Sequence, residues 1–316
     1  MRFAVKMNSP IPNYFDAQNA AAFVCLAARA YGVDDSAALY GALQSIEGSA
    51  VAKAMADRPT ESHPTVVEDT ATETRAVVYH DDEDLVVAFR GTMDLRNWMT
   101  DLDIATVSED GCKIHLGFWR ALESVFDALQ EAVRHECAGR RVWLTGHSLG
   151  GALAVLYAWR SMTLSRSNSF SGIYTFGQPR VGNAAFRDSW PFKAGLDGCL
   201  FRVTNAVDIV PHLPWLCGRY RHCGHEVFYP GAALGLRPKA AAYQLDGPAW
   251  LYALRDVLAL VSETVRPSSV EEWIADHHVG NYVNLFNSRW GETLSNPNFS
   301  PSIMGSTESR PTGNAL

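Results

Sequence analysis

The chain has 316 residues, which is long enough for one large α/β domain with a well-buried core. Hydrophobic residues make up 47% of it and charged residues 19%, which is the composition of an ordinary globular protein. The net charge of −7 and the lack of a Lys/Arg cluster argue against a nucleic-acid partner, and no apolar run reaches the roughly 20 residues that a transmembrane helix needs.

The N-terminal region predicts two helices, over Asp16–Tyr31 and Asp35–Glu47, each ending near a glycine. The apolar part of the first helix, Ala20–Ala28, superficially resembles the core of a secretory signal peptide. It is mostly alanine rather than leucine, and Asp16 and two prolines precede it, so the pattern favours an amphipathic helix. We therefore expect a protein that is cytoplasmic or exported by a leaderless route.

Two strands are predicted over Thr74–Tyr79 and Leu85–Phe89, and the acidic segment between them is interpreted as a solvated hairpin turn. The second strand leads directly into Gly91 and Thr92. Where a strand ends at Gly-Thr beside an active site, the backbone N–H and the hydroxyl of the threonine can point into the pocket. Thr92 is therefore a candidate donor for an oxyanion hole.

A short amphipathic helix is predicted directly after this loop, within about residues 94–106. Asp94 is placed as its N-cap, and the apolar residues that follow at helical spacing are Leu95, Trp98, Met99 and Leu102. Such a stripe fits a surface helix packed on the core, or a mobile lid whose apolar face covers the pocket when closed and meets lipid when open. Its position next to the oxyanion loop favours the lid.

The segment Arg141–Trp159 carries the strongest chemical signal. It begins as a short apolar strand, breaks at Gly146 and resumes with helical spacing, and the pattern G-x-S-x-G lies between the two parts. A sharp turn from strand to helix exposes the serine side chain, and Gly146 and Gly150 avoid a collision of Cβ atoms. Ser148 is the candidate nucleophile, and the N–H of Leu149 is the second candidate donor to an oxyanion.

A serine hydroxyl becomes a good nucleophile only when a base takes its proton and an acid orients that base. Asp208 follows the predicted strand Leu200–Asn205, and ligand sites in such sheets lie outside the carboxyl ends of the strands. Asp208 also follows Ser148 along the chain, and Ser, acid, His is one of the chain orders in which such catalytic triads occur. The adjacent His277 and His278 come later and supply candidate bases.

Six cysteines are scattered without a framework, which fits a reduced protein but leaves room for one or two disulfide bridges. A zinc site is suggested by the proximity of Cys217, His222, Cys223 and His225. The segment Tyr220–Tyr229 is predicted to be a strand, however, in which His222 faces away from Cys223 and His225, so the four ligands would not converge. We expect no metal and no cofactor.

Together these segments resemble the class 3 lipases, the fungal-type triacylglycerol lipase family of the α/β-hydrolase superfamily. Seven motifs match in order and in approximate spacing over roughly residues 74–283. They are Val87–Thr92, Arg96-Asn-Trp98 with Asp101-Leu102, His115-x-Gly117-Phe118, Gly146–Ala152, Thr175–Asn183, Asp208–Pro214 and Asp276-His277.

The resemblance implies the α/β-hydrolase fold, with a central, mostly parallel sheet flanked by helices and a helical lid over the active site. It implies Ser148 as the nucleophile, Asp208 as the orienting acid and His277 as the general base. It further implies an oxyanion hole formed by Thr92 and Leu149, under the lid described above.

The resemblance prefers His277 to its neighbour because family members carry Asp-His at this place with a tyrosine a few residues later, as Tyr282 is here. His278 stays the alternative base. The chain also departs from the family pattern. Fungal members are generally secreted and disulfide-bridged, and the segment between Asp208 and His277 is long, which leaves the shape of the acyl pocket open.

Residues 1–293 are expected to form a single domain, and residues 294–316, rich in Ser, Pro, Asn and Gly, a disordered tail. The expected function is hydrolysis of carboxylic ester bonds of lipids through an acyl-enzyme, with transient contact of the lid with a lipid–water interface. A soluble carboxylesterase or feruloyl esterase, and a phospholipase, are alternatives on the same triad. A catalytically inactive hydrolase fold used as a binding module is a third.

Overall fold

In a computed structural model, the described residues are 15–32, 64–95, 105–165, 169–189, 199–205, 208–214, 219–229, 243–244 and 277–293. The predicted helix Asp35–Glu47 and the predicted tail 294–316 lie outside these ranges.

Five helices and ten strands are formed by these residues. In chain order they are α1 (Ala17–Arg29), β1 (Thr65–Asp69), β2 (Thr74–His80), β3 (Asp84–Phe89), β4 (Thr106–Glu109), β5 (Cys112–His115), α2 (Leu116–Cys137), β6 (Arg141–His147), α3 (Leu149–Leu164), β7 (Gly172–Phe176), α4 (Ala184–Ser189), β8 (Leu200–Asn205), β9 (His225–Tyr229), β10 (Tyr243–Gln244) and α5 (Val279–Thr293).

Eight of the described strands form one sheet in the order β1-β2-β3-β6-β7-β8-β9-β10. Strands β3, β6, β7, β8 and β9 run parallel to one another, whereas β1, β2 and β10 pair antiparallel to their neighbours. This is the mostly parallel sheet flanked by helices that was predicted, and that prediction is confirmed.

Each face of the sheet carries its own core because successive residues of a strand point to opposite sides. Val78 and Val87 pack in a cluster with apolar residues of α2 and α3, and their neighbours Val77 and Val86 pack in a second cluster with α1 and α5. The helices therefore cover the sheet on both sides, which explains why the central strands read as continuous apolar runs.

Helix α1 is part of the second core rather than a separate segment. The side chain of Asp16 caps it by accepting a hydrogen bond from the backbone N–H of Asn19 at 2.9 Å. Ala20, Phe23, Val24 and Ala27 are fully buried against the sheet. No helix in the described ranges is both long and apolar enough to cross a membrane.

The sequence did not predict β1 or the hairpin formed by β4 and β5, and it placed the start of β9 too early. β1 and β4 are half-exposed edge strands of five and four residues, so they lack a continuous apolar run. The predicted strand Tyr220–Tyr229 is wrong in its first half. Strand β9 begins at His225 because Gly224 has a φ of 71°, which breaks the extended conformation.

The parallel strands bring four distant loops to one edge of the sheet. Strands β3, β6, β7 and β8 all end there, and the residues just beyond their carboxyl ends include Thr92, Ser148, Gly177 and Asp208. The candidate functional residues gather at this edge because of topology, although the sequence separates them widely.

Candidate active site

Ser148 occupies the sharp turn between β6 and α3. Its φ of 58° and ψ of −130° are rare for a residue with a side chain, so the backbone is strained here. The turn closes because two positions lack side chains. A Cβ atom on Gly146 would lie 2.7 Å from the nitrogen of Gly151, and one on Gly150 would lie 2.8 Å from the carbonyl carbon of Phe89.

Thr92 and Leu149 belong to segments that adjoin this turn. The chain leaving β3 passes very close to the end of β6, since a Cβ atom on Gly91 would lie 2.7 Å from the carbonyl oxygen of His147. Half-buried Thr92 is the next residue. Leu149 is the first residue of α3, so its N–H belongs to the first turn, where amide groups lack a partner within the helix. Both candidate oxyanion donors are therefore neighbours of the Ser148 turn.

Asp208 and His277 form a buried pair. Nδ1 of His277 lies 2.7 Å from Oδ2 of Asp208, and both side chains are almost completely buried. The hydroxyl of Tyr282 donates to the same carboxylate oxygen at 2.5 Å, and the backbone N–H of Val210 donates to Oδ1 at 2.9 Å. A carboxylate can only accept, so Nδ1 of His277 carries a proton and Nε2 is the basic nitrogen.

Oγ of Ser148 and Nε2 of His277 are among the buried polar atoms that have no hydrogen-bond partner in the described part of the chain. The ring of His277 lies over that of His147, the residue before Ser148, with 4.5 Å between the ring centroids. The imidazole of His277 therefore packs against the residue that precedes Ser148 in this turn. An unpaired serine hydroxyl and an unpaired basic imidazole nitrogen are the two groups between which a proton passes when such a serine attacks an acyl substrate.

Gly177, which follows β7, packs directly against the Asp208–His277 pair. It has a φ of 61°, and a Cβ atom there would lie 2.8 Å from Cε1 of His277 and 2.9 Å from Oδ2 of Asp208. Its N–H donates to the carbonyl of Val203 in β8 at 3.0 Å. The loop after β7 therefore packs against the Asp208–His277 pair and leaves no room for a side chain at position 177.

His278, the alternative base, is differently placed. It is exposed, and its Nδ1 accepts a hydrogen bond from the backbone N–H of Gly280 at 3.2 Å, in the first turn of α5. Its ring therefore caps a helix start, while the neighbouring ring of His277 faces Asp208.

Sequence reasoning missed two buried residues at this site, Tyr31 and His147. The hydroxyl of Tyr31 lies 2.9 Å from Nδ1 of His147, and Nε2 of His147 lies 2.7 Å from the carbonyl oxygen of His277. Burial lowers the pKa of His147 well below its usual value, and the facing His277 lowers it further. The motif contains His147, but no local pattern connects it with a tyrosine 116 positions earlier.

The remaining candidate residues are only partly covered by the structure. Leu95 is half-buried beyond the oxyanion loop, whereas Trp98, Met99 and Leu102 of the predicted lid lie outside the described residues. Cys25, Cys112, Cys137, Cys199 and Cys223 carry free thiols, and Cys217 lies outside the described ranges. Within those ranges, no three or more His, Cys, Asp or Glu side chains converge as a metal site would require.

Residues 86–217 match the family described as Lipase (class 3). The chain is 38% identical to a lipase of Rhizomucor miehei over 166 residues, which are 49% of this chain and 44% of that protein. It is 35% identical to secreted mono- and diacylglycerol lipase 1 of Fusarium solani over 159 residues, which are 48% of this chain and 46% of that protein. The chain thus spans about half the length of these relatives.

The fold is similar to that of a solved triacylglyceride lipase from Rhizomucor miehei. The two structures agree with a TM-score of 0.55 and 28% identity over 68% of this chain and 80% of the other. Together with the sheet order, this similarity identifies the architecture as the α/β-hydrolase fold.

Proposed function

Because this chain belongs to the class 3 lipase family through residues 86–217, we propose that it is a serine hydrolase that cleaves carboxylic ester bonds of lipids. The observation that carries the proposal is the buried Asp208–His277 pair, whose imidazole packs against His147, the residue before Ser148, and whose Nε2 has no hydrogen-bond partner among the described residues. The names of the relatives, which include mono- and diacylglycerol lipase, support lipid esters as the substrate class.

In the first half of the reaction, Oγ of Ser148 attacks the ester carbonyl carbon while Nε2 of His277 takes the hydroxyl proton. The carbonyl electrons move to the oxygen, where the N–H of Leu149 and the N–H and hydroxyl of Thr92 stabilise the negative charge. Asp208 holds the imidazole through Nδ1 and stabilises its positive charge. Collapse of the intermediate breaks the ester C–O bond, and His277 protonates the departing alcohol.

In the second half, a water molecule gives its proton to Nε2 of His277 and attacks the acyl carbon. The second tetrahedral intermediate collapses and breaks the bond to Oγ, and His277 returns the proton to Ser148. The free acid leaves, and the enzyme is restored. The same histidine thus serves as base and then as acid in each half, without a cofactor.

The predicted lid is part of this proposal. The stripe formed by Leu95, Trp98, Met99 and Leu102 follows the oxyanion loop, so a lipid surface that binds it would open the pocket above Ser148. Ester hydrolysis would then rise steeply when the substrate exceeds its solubility. A rate that stays flat across that limit would instead support a soluble carboxylesterase.

The decisive experiment measures hydrolysis of p-nitrophenyl esters and labelling by a fluorophosphonate in the wild type and in Ser148→Ala. We expect the variant to lose labelling and nearly all turnover while it melts at the wild-type temperature. Ser161→Ala is the matched control, because Ser161 is equally buried on α3 but bonds to Gln130, remote from the pair. Equal activity of Ser148→Ala and wild type would refute the assignment.

A chain-length series of esters, together with emulsified triglyceride and phospholipid, then separates the substrate classes. Preference for long-chain triglyceride supports a lipase. Preference for phospholipid would assign the same triad to a phospholipase, and a protein that binds lipid without labelling by the fluorophosphonate would be a binding module.

A further inference from the structure

The side chain of His147 is held at both ring nitrogens inside the protein. Nε2 lies 2.7 Å from the backbone carbonyl oxygen of His277, and Nδ1 lies 2.9 Å from the hydroxyl of Tyr31. A carbonyl oxygen can only accept, so Nε2 must carry the proton. In the neutral ring Nδ1 is then bare, and the hydroxyl of Tyr31 must donate to it. The partners therefore fix one tautomer.

Tyr31 also contacts the loop that follows β3. Its hydroxyl lies beside the backbone of Gly91, whose N–H lowers the pKa of Tyr31 against the larger raising effect of burial. A Cβ atom on Gly91 would collide with this hydroxyl, so the close approach requires a glycine at that position. One hydroxyl thus links the residue that precedes Thr92 to the residue that precedes Ser148.

We propose that Tyr31 and His147 are positioning residues that hold the backbone of the general base, His277, in register with the Ser148 turn and the Thr92 loop. The hydroxyl of Tyr31 packs against Gly91 and bonds to Nδ1 of His147, and Nε2 of His147 bonds to the carbonyl of His277. Both ring nitrogens of His147 are engaged by these links, so its side chain has no nitrogen left to exchange a proton with substrate.

Electrostatics supports the neutral His147 ring that this tautomer requires. The rings of His147 and His277 have centroids 4.5 Å apart, and His277 becomes positively charged during the proposed reaction. A second charge at this distance in a buried site would raise the energy of that state. Burial raises the pKa of Tyr31, which stays protonated and able to donate, and burial lowers that of His147, which stays neutral.

The kinetic test of this inference rests on the proposed ester hydrolysis. The spectroscopic test, which measures the tautomer of His147, needs no activity. Tyr31→Phe removes the hydroxyl and keeps the ring. Tyr157→Phe is the matched control, because it removes a hydroxyl that bonds to Gln130 between α2 and α3. His147→Leu removes both bonds, and His147→Gln keeps a side-chain N–H that can reach the carbonyl of His277.

We expect Tyr31→Phe to lower kcat about tenfold with KM within about twofold of wild type, since it leaves a buried acceptor unpaired without touching substrate. Tyr157→Phe should stay within about twofold of wild type in both constants. The double variant of Tyr31→Phe and His147→Leu should be no slower than His147→Leu alone, and His147→Gln should recover part of the loss.

Unchanged kcat in Tyr31→Phe would overturn the proposal, and so would losses that simply multiply in the double variant. In wild-type protein labelled with ¹⁵N-histidine, the resonance that disappears in His147→Gln should report the neutral Nε2–H tautomer. A protonated ring or an Nδ1–H tautomer would overturn it even in an inactive protein. A wild-type protein that hydrolyses no ester would refute the proposed function instead.

Discussion

The hydroxyl of Tyr282 lies 2.5 Å from Oδ2 of Asp208, the same oxygen that Nδ1 of His277 contacts at 2.7 Å. Tyr282 also accepts from the backbone N–H of Asn205 at 3.2 Å, so its hydroxyl joins the end of β8 to the acid. The side chain of Tyr282 on α5 therefore fixes the direction from which Asp208 faces His277.

Tyr282→Phe is expected to lower kcat about 10- to 100-fold, because a hydrogen bond to a buried charge contributes about 1.5–3 kcal/mol. The ring is kept, so the packing of α5 should persist. Steady-state kinetics on a soluble ester would measure the effect, with Tyr157→Phe as the control. A kcat equal to that of the control would show that Asp208 needs no support from Tyr282.

The two adjacent histidines should differ sharply when replaced. His277→Ala is expected to abolish turnover, because it removes the proposed base. His278→Ala should keep near wild-type turnover and lose about 1 kcal/mol of unfolding free energy at most, since it removes a helix cap. Ester kinetics and urea unfolding of both variants would test this, and the reverse pattern would make His278 the base.

Gly177→Ala should impair both activity and stability. The added Cβ would lie 2.8 Å from Cε1 of His277 and 2.9 Å from Oδ2 of Asp208, so the pair would have to separate. Gly111→Ala controls for backbone strain, because Gly111 has a φ of 77° and nothing within 4 Å of its Cβ position. We expect the control to lose about 1 kcal/mol of stability with unchanged kcat. Equal kcat in the two variants would contradict the contact described here.

Thr92→Val should lower kcat about 100-fold or more, since it replaces the hydroxyl by a methyl group of similar size in the proposed oxyanion hole. Thr92→Ser keeps the hydroxyl and should stay within about tenfold of wild type. If both variants were equally active, the backbone N–H alone would serve as the donor at this position. The measurement is kcat on a short-chain ester, below the limit of solubility.

Stability should decline in acid because His147 is buried and neutral. Burial lowers its pKa well below the usual value in the folded protein, whereas the unfolded chain takes up a proton below about pH 6.5. The unfolded state then binds more protons, so the contribution is fully present above that pH and is lost at up to about 1.4 kcal/mol per pH unit below it. Urea unfolding between about pH 7.5 and 5.5 should show a steeper loss for wild type than for His147→Gln. Parallel curves would contradict it.

Local pattern carried most of what the sequence could predict about the fold. The runs at β2, β3, β6 and β8 are short and β-branched, and G-x-S-x-G fixes the turn at Ser148 through its glycines. Edge strands such as β1 were not predicted because about half of their residues face water, and the remaining apolar pattern is no stronger than that of a loop.

Contacts between distant parts of the chain could not be predicted from the sequence for a different reason. The links from Tyr31 to His147 and from Tyr282 to Asp208 span 116 and 74 positions, and each depends on which helix covers which face of the sheet. A single tyrosine in the sequence does not indicate which distant residue its hydroxyl will contact. Residue pattern could propose Asp208 and His277 separately, whereas their 2.7 Å contact needed the assembled topology.

The position of α1 has a practical consequence for dividing this chain. The family match covers residues 86–217, yet Tyr31 lies before that span and His277 and Tyr282 lie after it. A fragment limited to the matched span would retain Ser148 and Asp208. It would lack His277, Tyr31 and Tyr282. Excision at those boundaries should therefore yield an inert polypeptide, and a fusion partner attached close to α1 would perturb chemistry that occurs far along the sequence.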